Sequence, residues 1–269
     1  MYVVSAFRRN FEAFRRTEAS FPRTVIPELL DELPPDDPRA VHSRGDLRRV
    51  NKLMGNADII AGAIGASGAI GATGALGARR AALTIVELGG GDGTFLLELA
   101  KRVAPVLGAA RAILVDQQDL MTRHTREALA ALEWHVDPVK ADVFEWLGRP
   151  NEIADVTIVN LFLHHFKGQR LSTLLREASK QTRMFVACEP HRSRRALAAA
   201  SLMGLIGCNR VTVHDARISV RAGFRDTDLS AIWPGERDWT LKEQKAGRFT
   251  HCFVAMKTST APFMSTAPF

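Results

Sequence analysis

Val86-Glu87-Leu88-Gly89-Gly90-Gly91-Asp92-Gly93-Thr94-Phe95 decides the reading of this chain. An apolar run, Ala82 to Val86, leads into it, and an apolar helical pattern, Phe95 to Val103, leads out. Strand, acid, glycine turn and helix in that order make the first β-α unit of an α/β sheet. The glycines at 89, 91 and 93 permit a sharp turn and let a ligand come close to the backbone.

The spacing narrows the ligand. A dinucleotide fingerprint, G-x-G-x-x-G, would need its third glycine at position 94, where Thr94 stands, so a nicotinamide dehydrogenase is disfavoured. No phosphate-cradling G-x-x-x-x-G-K-[ST] occurs. The order Glu-x-Gly-x-Gly-x-Gly resembles the first motif of class I S-adenosylmethionine-dependent methyltransferases.

Three later segments extend the resemblance. Arg111-Ala-Ile-Leu-Val-Asp116 reads as a second strand ending in a carboxylate, which can accept hydrogen bonds from both ribose hydroxyls of an adenosine. Asp142-Val143 follows a third strand-like stretch. Ala154 to Asn160 reads as a fourth strand and runs into Leu161-Phe-Leu-His-His-Phe166. That last run resembles the L-H-H motif of small-molecule methyltransferases of the quinone-biosynthesis type. The likeness spans about residues 83–257 and is specific for cofactor, not acceptor. It implies S-adenosylmethionine bound by Glu87, Gly89, Gly90, Gly91, Gly93, Asp116, Gln117, Asp142, Val143 and Asn160, with Asp142 meeting the adenine amino group.

Composition fits a globular chain of 269 residues, 46% hydrophobic and 24% charged. No run of 18 or more apolar residues resembles a membrane span, and Ala57 to Leu76 is too rich in glycine to be one. Cys188, Cys208 and Cys252 form no metal pattern, and no carboxylate and histidine cluster has ligand spacing. No metal is therefore expected, and a reduced, cytoplasmic compartment is. The formal charge is +7, with seven arginines against one acid, Asp215, over residues 190–225. Few aromatics accompany them, so a single-stranded nucleic-acid partner is disfavoured. A solvated basic surface and an anionic small-molecule acceptor stay open.

The expected architecture is a doubly wound, seven-stranded Rossmann-like sheet with an antiparallel last strand and an N-terminal helical extension. The extension covers 1–57, a Gly/Ala-rich linker 58–80, the methyltransferase domain 81–258 and a disordered tail 259–269. Residues 1–26 are basic and amphipathic; Glu12 and Glu18 argue against a transit peptide. Ser43 is read as the cap of a helix that Gly55 stops, whose Arg48, Arg49 and Asn51 can face the ligand. Glycine at every third position from Gly62 to Gly77 reads as a flexible linker. Strands are expected near 83–89, 111–116, 134–139, 155–161, 184–189, 238–245 and 248–257. Helices are expected near 93–105, 119–132, 168–181 and 193–206.

A methyl group on a sulfonium is already activated, so the protein mainly aligns the reacting atoms and removes a proton from the acceptor. His164 and His165, just past the fourth strand, are the first candidates for that base: one is expected to face the cleft and the other to pack, unless the pair only shapes the loop. His214, beside Asp215, is the third. Glu189, after the fifth strand, is expected to hold a substrate hydroxyl or to pair with Arg192. Arg217 and Arg221, spaced i, i+4, are expected to bind an anionic group of the acceptor. The leading expectation is methyl transfer to an oxygen, or second a carbon, of a small phenolic or anionic molecule. An RNA or protein methyltransferase and a non-catalytic cofactor-binding protein are the alternatives.

Overall fold

A computed structural model describes residues 21–66, 83–150 and 152–258. The expected tail from residue 259, residues 1–20 of the N-terminal extension, the expected linker from residue 67 to 80, and residues 81, 82 and 151 lie outside the described residues.

The glycine turn is bounded by strand β1 (Leu83–Leu88) and helix α4 (Thr94–Leu107), as the apolar runs on either side require. The sheet has seven strands in the order β3-β2-β1-β4-β5-β7-β6, with β2 (Ala110–Asp116), β3 (Trp134–Lys140), β4 (Ala154–Asn160), β5 (Thr182–Pro190), β6 (Trp239–Ala246) and β7 (Thr250–Lys257). The first five strands pair in parallel, and β7 runs antiparallel to both β5 and β6. The strand order reverses at β1, between β2 and β4, so a crevice opens at the carboxyl ends of these strands.

Strand alternation divides the core into two faces. Ile85, Ala112, Ile158, Val186 and Cys252 pack with Leu96, Leu99 and Val103 of α4 and with Ile60 and Ile64. Val86, Val115, Val159, Phe185 and Phe253 pack on the other side, with Leu171, Leu174 and Leu175 of helix α7 (Gly168–Lys180). Short helices α5 (Arg123–Ala130) and α6 (Val143–Leu147) complete the crossovers.

Two local expectations need correction. Helix α2 spans Pro38–Met54 and is capped by Asp37, whose side chain accepts from the Arg39 N–H, with proline at its first position. Ser43 is instead buried mid-helix and donates to Asn209 at 3.1 Å. The first part of the expected linker is helix α3 (Asn56–Ala66): Ile60 and Ile64, one turn apart, are both buried against the sheet. That burial offsets the helix cost of Gly62 and Gly65, about 1 kcal/mol each.

The remaining helices form a cap over the crevice: α1 (Leu29–Glu32), α2, α8 (Arg194–Ser201) and α9 (Arg210–Ala222). Carboxylates tie it together. Asp215 of α9 accepts from the backbone N–H of Leu29 and Leu30, both at 2.9 Å, at the start of α1. Asp46 of α2 accepts from Asn209 N and Thr212 Oγ1 at the start of α9, at 2.8 and 2.9 Å.

Candidate functional site

A cavity of about 740 Å³ lies between the sheet and the cap. Its sheet side carries Glu87, Gly89, Gly90, Gly91, Asp116 and Asn160. Gly89 has φ +73, and a Cβ there would come within 2.4 Å of the Phe162 ring, so only glycine fits. Gly91 has φ +54 and open space where a Cβ would stand, and its N–H donates to Asp116 Oδ2 at 2.9 Å. Gln118 N–H donates to the other Asp116 oxygen at 2.8 Å, which fixes the carboxylate in the wall. Gly93 does not line the cavity: a Cβ would meet Met121 Cε at 2.7 Å, so this glycine serves the packing of α4 on α5.

Glu87 is buried, and its Oε2 has no hydrogen-bond partner. Burial first, and then the charges of Asp116 and Asp92, push its carboxyl well above the ordinary carboxylate range. An unpartnered carboxyl oxygen in a cavity wall is a site for a donor or cation. Together with the open glycine turn and the rigid Asp116, it fits the amino acid and ribose ends of S-adenosylmethionine.

Asp142 turns away from the cavity. Its Oδ1 caps α6 by accepting from Phe144 N, and its Oδ2 accepts from Gln117 Nε2 at 2.9 Å. Gln117, Ala141 and Val143 form the cavity wall at that edge. Asn160 accepts from Asn56 at 2.7 Å and donates to Asn51 at 2.9 Å, while Thr250 donates to Asn56 at 2.6 Å. This buried chain of amides joins β4, β7 and the two cap-side helices α2 and α3. Arg48 also lines the cavity and pairs with Asp92 at 2.9 Å; Arg49 points instead to Asp46.

The turn after β4 holds both adjacent histidines at the cavity. Leu161 enters it with φ 53, a left-handed conformation that is costly for a side chain with a Cβ. Glu189 organises the turn. Its Oε1 accepts from Phe162 N and Leu163 N at 2.9 and 2.7 Å, and its Oε2 from His164 N at 3.3 Å and His164 Nδ1 at 2.7 Å. Glu189 is fully buried, outside the cavity lining, so it is neither a substrate ligand nor the partner of Arg192, which pairs with Asp228 at 2.8 Å.

His164 is therefore held between two carboxylates, Glu189 on Nδ1 and Glu28 on Nε2 at 3.2 Å. Burial opposes its charge, but the hydrogen bonds to Glu189 and Glu28 prevail and lift its pKa to about 10. Burial likewise opposes the charge of Glu28, yet the hydrogen bond from His164 and its positive charge bring that carboxyl down to about 2. An imidazolium at neutral pH cannot accept a proton, so His164 is not the base. His165 keeps 24% side-chain exposure, lines the cavity, and has Asp31 Oδ2 3.3 Å from its Nδ1. Glu28, His164 and His165 also offer one ligand atom each within 4.8 Å of one another, a grouping compatible with a cation that sequence spacing did not reveal.

The other acceptor-side expectations fail on placement. His214 does pair with Asp215, its Nδ1 2.9 Å from Oδ1, but it is half exposed and lies outside the cavity, away from any acceptor held there. Arg217 and Arg221 share helix α9 but neither lines the cavity; the face of α9 that does carries Thr212, Ala216, Ser219 and Val220. Glu28 and Asp31 were missed because they are ordinary acids in a short proline-containing segment, without motif or periodicity.

A family model described as a methyltransferase domain matches residues 85–184. No curated protein matches the sequence. Among solved structures the chain is similar to an O-methyltransferase family protein from Burkholderia thailandensis, at 17% identity over 97% of this chain and 70% of that one, with a TM-score of 0.55. It is similar to the plantazolicin methyltransferase BamL at 9% identity over 83% and 93%, with a TM-score of 0.55. It also resembles a putative O-methyltransferase from Nostoc punctiforme at 13% identity over 81% and 60%, with a TM-score of 0.52.

Proposed function

We propose that the chain, whose residues 85–184 match a methyltransferase-domain model, is a class I S-adenosylmethionine-dependent methyltransferase that methylates an oxygen of a small, largely apolar acceptor, with His165 as the general base. One observation carries this reading: His165 opens into the same cavity as the glycine turn and Asp116, with a carboxylate behind its Nδ1. S-adenosylmethionine supplies the activated methyl group when bound, and Glu87, Gly91 and Asp116 would hold it.

The remaining steps belong to the chain. The cap covers a cavity whose acceptor side carries the apolar side chains Leu47, Val50, Met54, Ala199 and Met203. Asp31 fixes the tautomer of His165 so that Nε2 takes the hydroxyl proton. The His164 ring, held by Glu189 and Glu28, packs against that of His165 with centroids 4.4 Å apart and fixes its position in the turn. Arg217 and Arg221 lie outside the cavity lining and are given no role in holding the acceptor. The three cysteines are unpaired and buried, which supports a reducing compartment such as the cytoplasm.

The test is methyl transfer from labelled S-adenosylmethionine to a panel of apolar phenols, with wild type, His165→Ala and Asp116→Ala. We expect His165→Ala to lower kcat by about 10²–10⁴ at unchanged cofactor affinity, and Asp116→Ala to weaken cofactor binding. Full activity in His165→Ala would remove the base assignment. Cofactor binding without transfer to any acceptor would favour a binding protein.

A further inference from the structure

The mouth of the cavity is apolar on its outer side. Leu47 and Leu53 of α2, and Leu202 and Ile206 around the short turn Met203–Ile206, line the cavity and are also 36–66% exposed. Leu205, at the tip of that turn, is 82% exposed and does not line the cavity. Exposed apolar side chains scattered singly need no explanation, and Val106 and Ile153 are of that kind; a contiguous lip at a cavity mouth is a binding surface. Arg49 joins the two sides of the lip, donating to the carbonyls of Ile206 and Gly207 at 3.4 and 3.5 Å.

Charge selects the partner. Residues 44–55 and 202–210 carry Arg44, Arg48, Arg49, Lys52 and Arg210 against one acid, Asp46, which is buried. Arg48 is paired with Asp92, while Lys52 and Arg210 are exposed. An apolar tip flanked by cations fits an anionic bilayer, where apolar side chains enter the boundary between headgroups and acyl chains and basic ones meet the lipid phosphates.

We propose that this lip docks on an anionic membrane surface and that the acceptor is an amphiphile whose apolar tail enters the cavity from the bilayer. The second half rests on the reading of the cavity as the acceptor site; the docking does not. No described helix is long and apolar enough to cross a membrane, so the contact is peripheral.

The test is flotation of the full chain with phosphatidylcholine vesicles, with and without phosphatidylglycerol, at low and high salt. The wild type is expected to float with the anionic vesicles and to be released by salt. Leu205→Asp and Lys52→Glu lie outside the catalytic and binding machinery and on the surface, so each should keep the wild-type Tm. Combined, they should lower the vesicle-bound fraction by roughly tenfold. Transfer to a short water-soluble phenol should be unchanged, whereas transfer to a long-tailed phenol in vesicles should fall. Absence of flotation by the wild type overturns the proposal. So does flotation of the double variant equal to wild type, which would place membrane binding elsewhere on the chain. A dimeric wild type that the variant converts to monomer also overturns it, because a second copy would then cover the lip. Flotation without transfer to any acceptor would leave docking intact and remove the enzymatic reading instead.

Discussion

At the scale of the residue, Glu87 is where local cost and ligand chemistry meet. A buried carboxyl with one oxygen unpartnered and two acids nearby holds its proton to higher pH than in the unfolded chain. A group whose folded pKa is raised gives stability below its unfolded value and loses it as pH rises, so near neutrality Glu87 weakens the fold. Glu87→Gln keeps the shape and removes the ionisation. We expect its ligand-free Tm to rise by roughly 2–4 °C, the response of a domain of this size to about 1 kcal/mol. Cofactor affinity should fall at least about tenfold, as a charge-assisted bond is lost. In the wild type, a cationic group against Glu87 would draw off its proton. Titration calorimetry in two buffers of different ionisation enthalpy should therefore show proton release on binding, and none in Glu87→Gln. Equal release in both proteins would remove Glu87 from the cofactor site.

At the scale of the element, the turn after β4 is a charged assembly and not only a loop. His164, lifted to about 10, contributes stability fully present below pH 6.5 and lost as pH rises toward 10. Glu28, lowered to about 2, contributes stability present above pH 4.5 and lost as pH falls toward 2. The pair is thus worth most between those windows. The urea midpoint of wild type relative to His164→Gln should be highest near pH 6 and should shrink by about pH 9. A difference that stays constant across that range would mean that His164 is neutral. Because His164 Nε2 already meets Glu28, activity should survive chelation by EDTA; loss on chelation with recovery on zinc would assign Glu28, His164 and His165 to a metal instead.

The same element shows how much of the site the sequence discloses. The glycine turn, Asp116 and the His164-His165 pair are legible because their geometry is local: strand, turn and helix are set by neighbours in the chain. The strands are legible for the same reason, with β3 and β4 found within a residue or so of where periodicity puts them. Glu189 was placed correctly at a strand end, but only the fold shows its carboxylate turned toward the backbone of the next loop. Glu28 meets His164 across 136 residues, and no spacing rule reaches that far. Helix α3 was hidden because glycine recurrence outweighed the Ile60 and Ile64 pair, whose value appears only once a sheet is present to bury it.

At the scale of the whole molecule, the cap and the sheet divide the work. The groups proposed to hold the cofactor sit on β1, the turn after it and β2, whereas Glu28 and Asp31, one acid for each histidine, come from the α1 segment, which is held to α9 by Asp215. Asp215→Ala leaves two backbone donors unsatisfied, at a cost of about 1–3 kcal/mol each if they stay buried. The cheaper response is for α1 to loosen, taking Glu28 and Asp31 away from His164 and His165. Two consequences separate this division from a general loss of stability. S-adenosylmethionine affinity should change less than threefold or so while kcat/KM for the acceptor falls tenfold or more, because only the cap is disturbed. Asp215→Ala and Glu28→Gln should also be strongly non-additive in kcat/KM, since both remove the same carboxylate from His164. Additive losses, or a parallel fall in cofactor affinity, would mean that cap and sheet act as one unit and that Asp215 serves the fold as a whole.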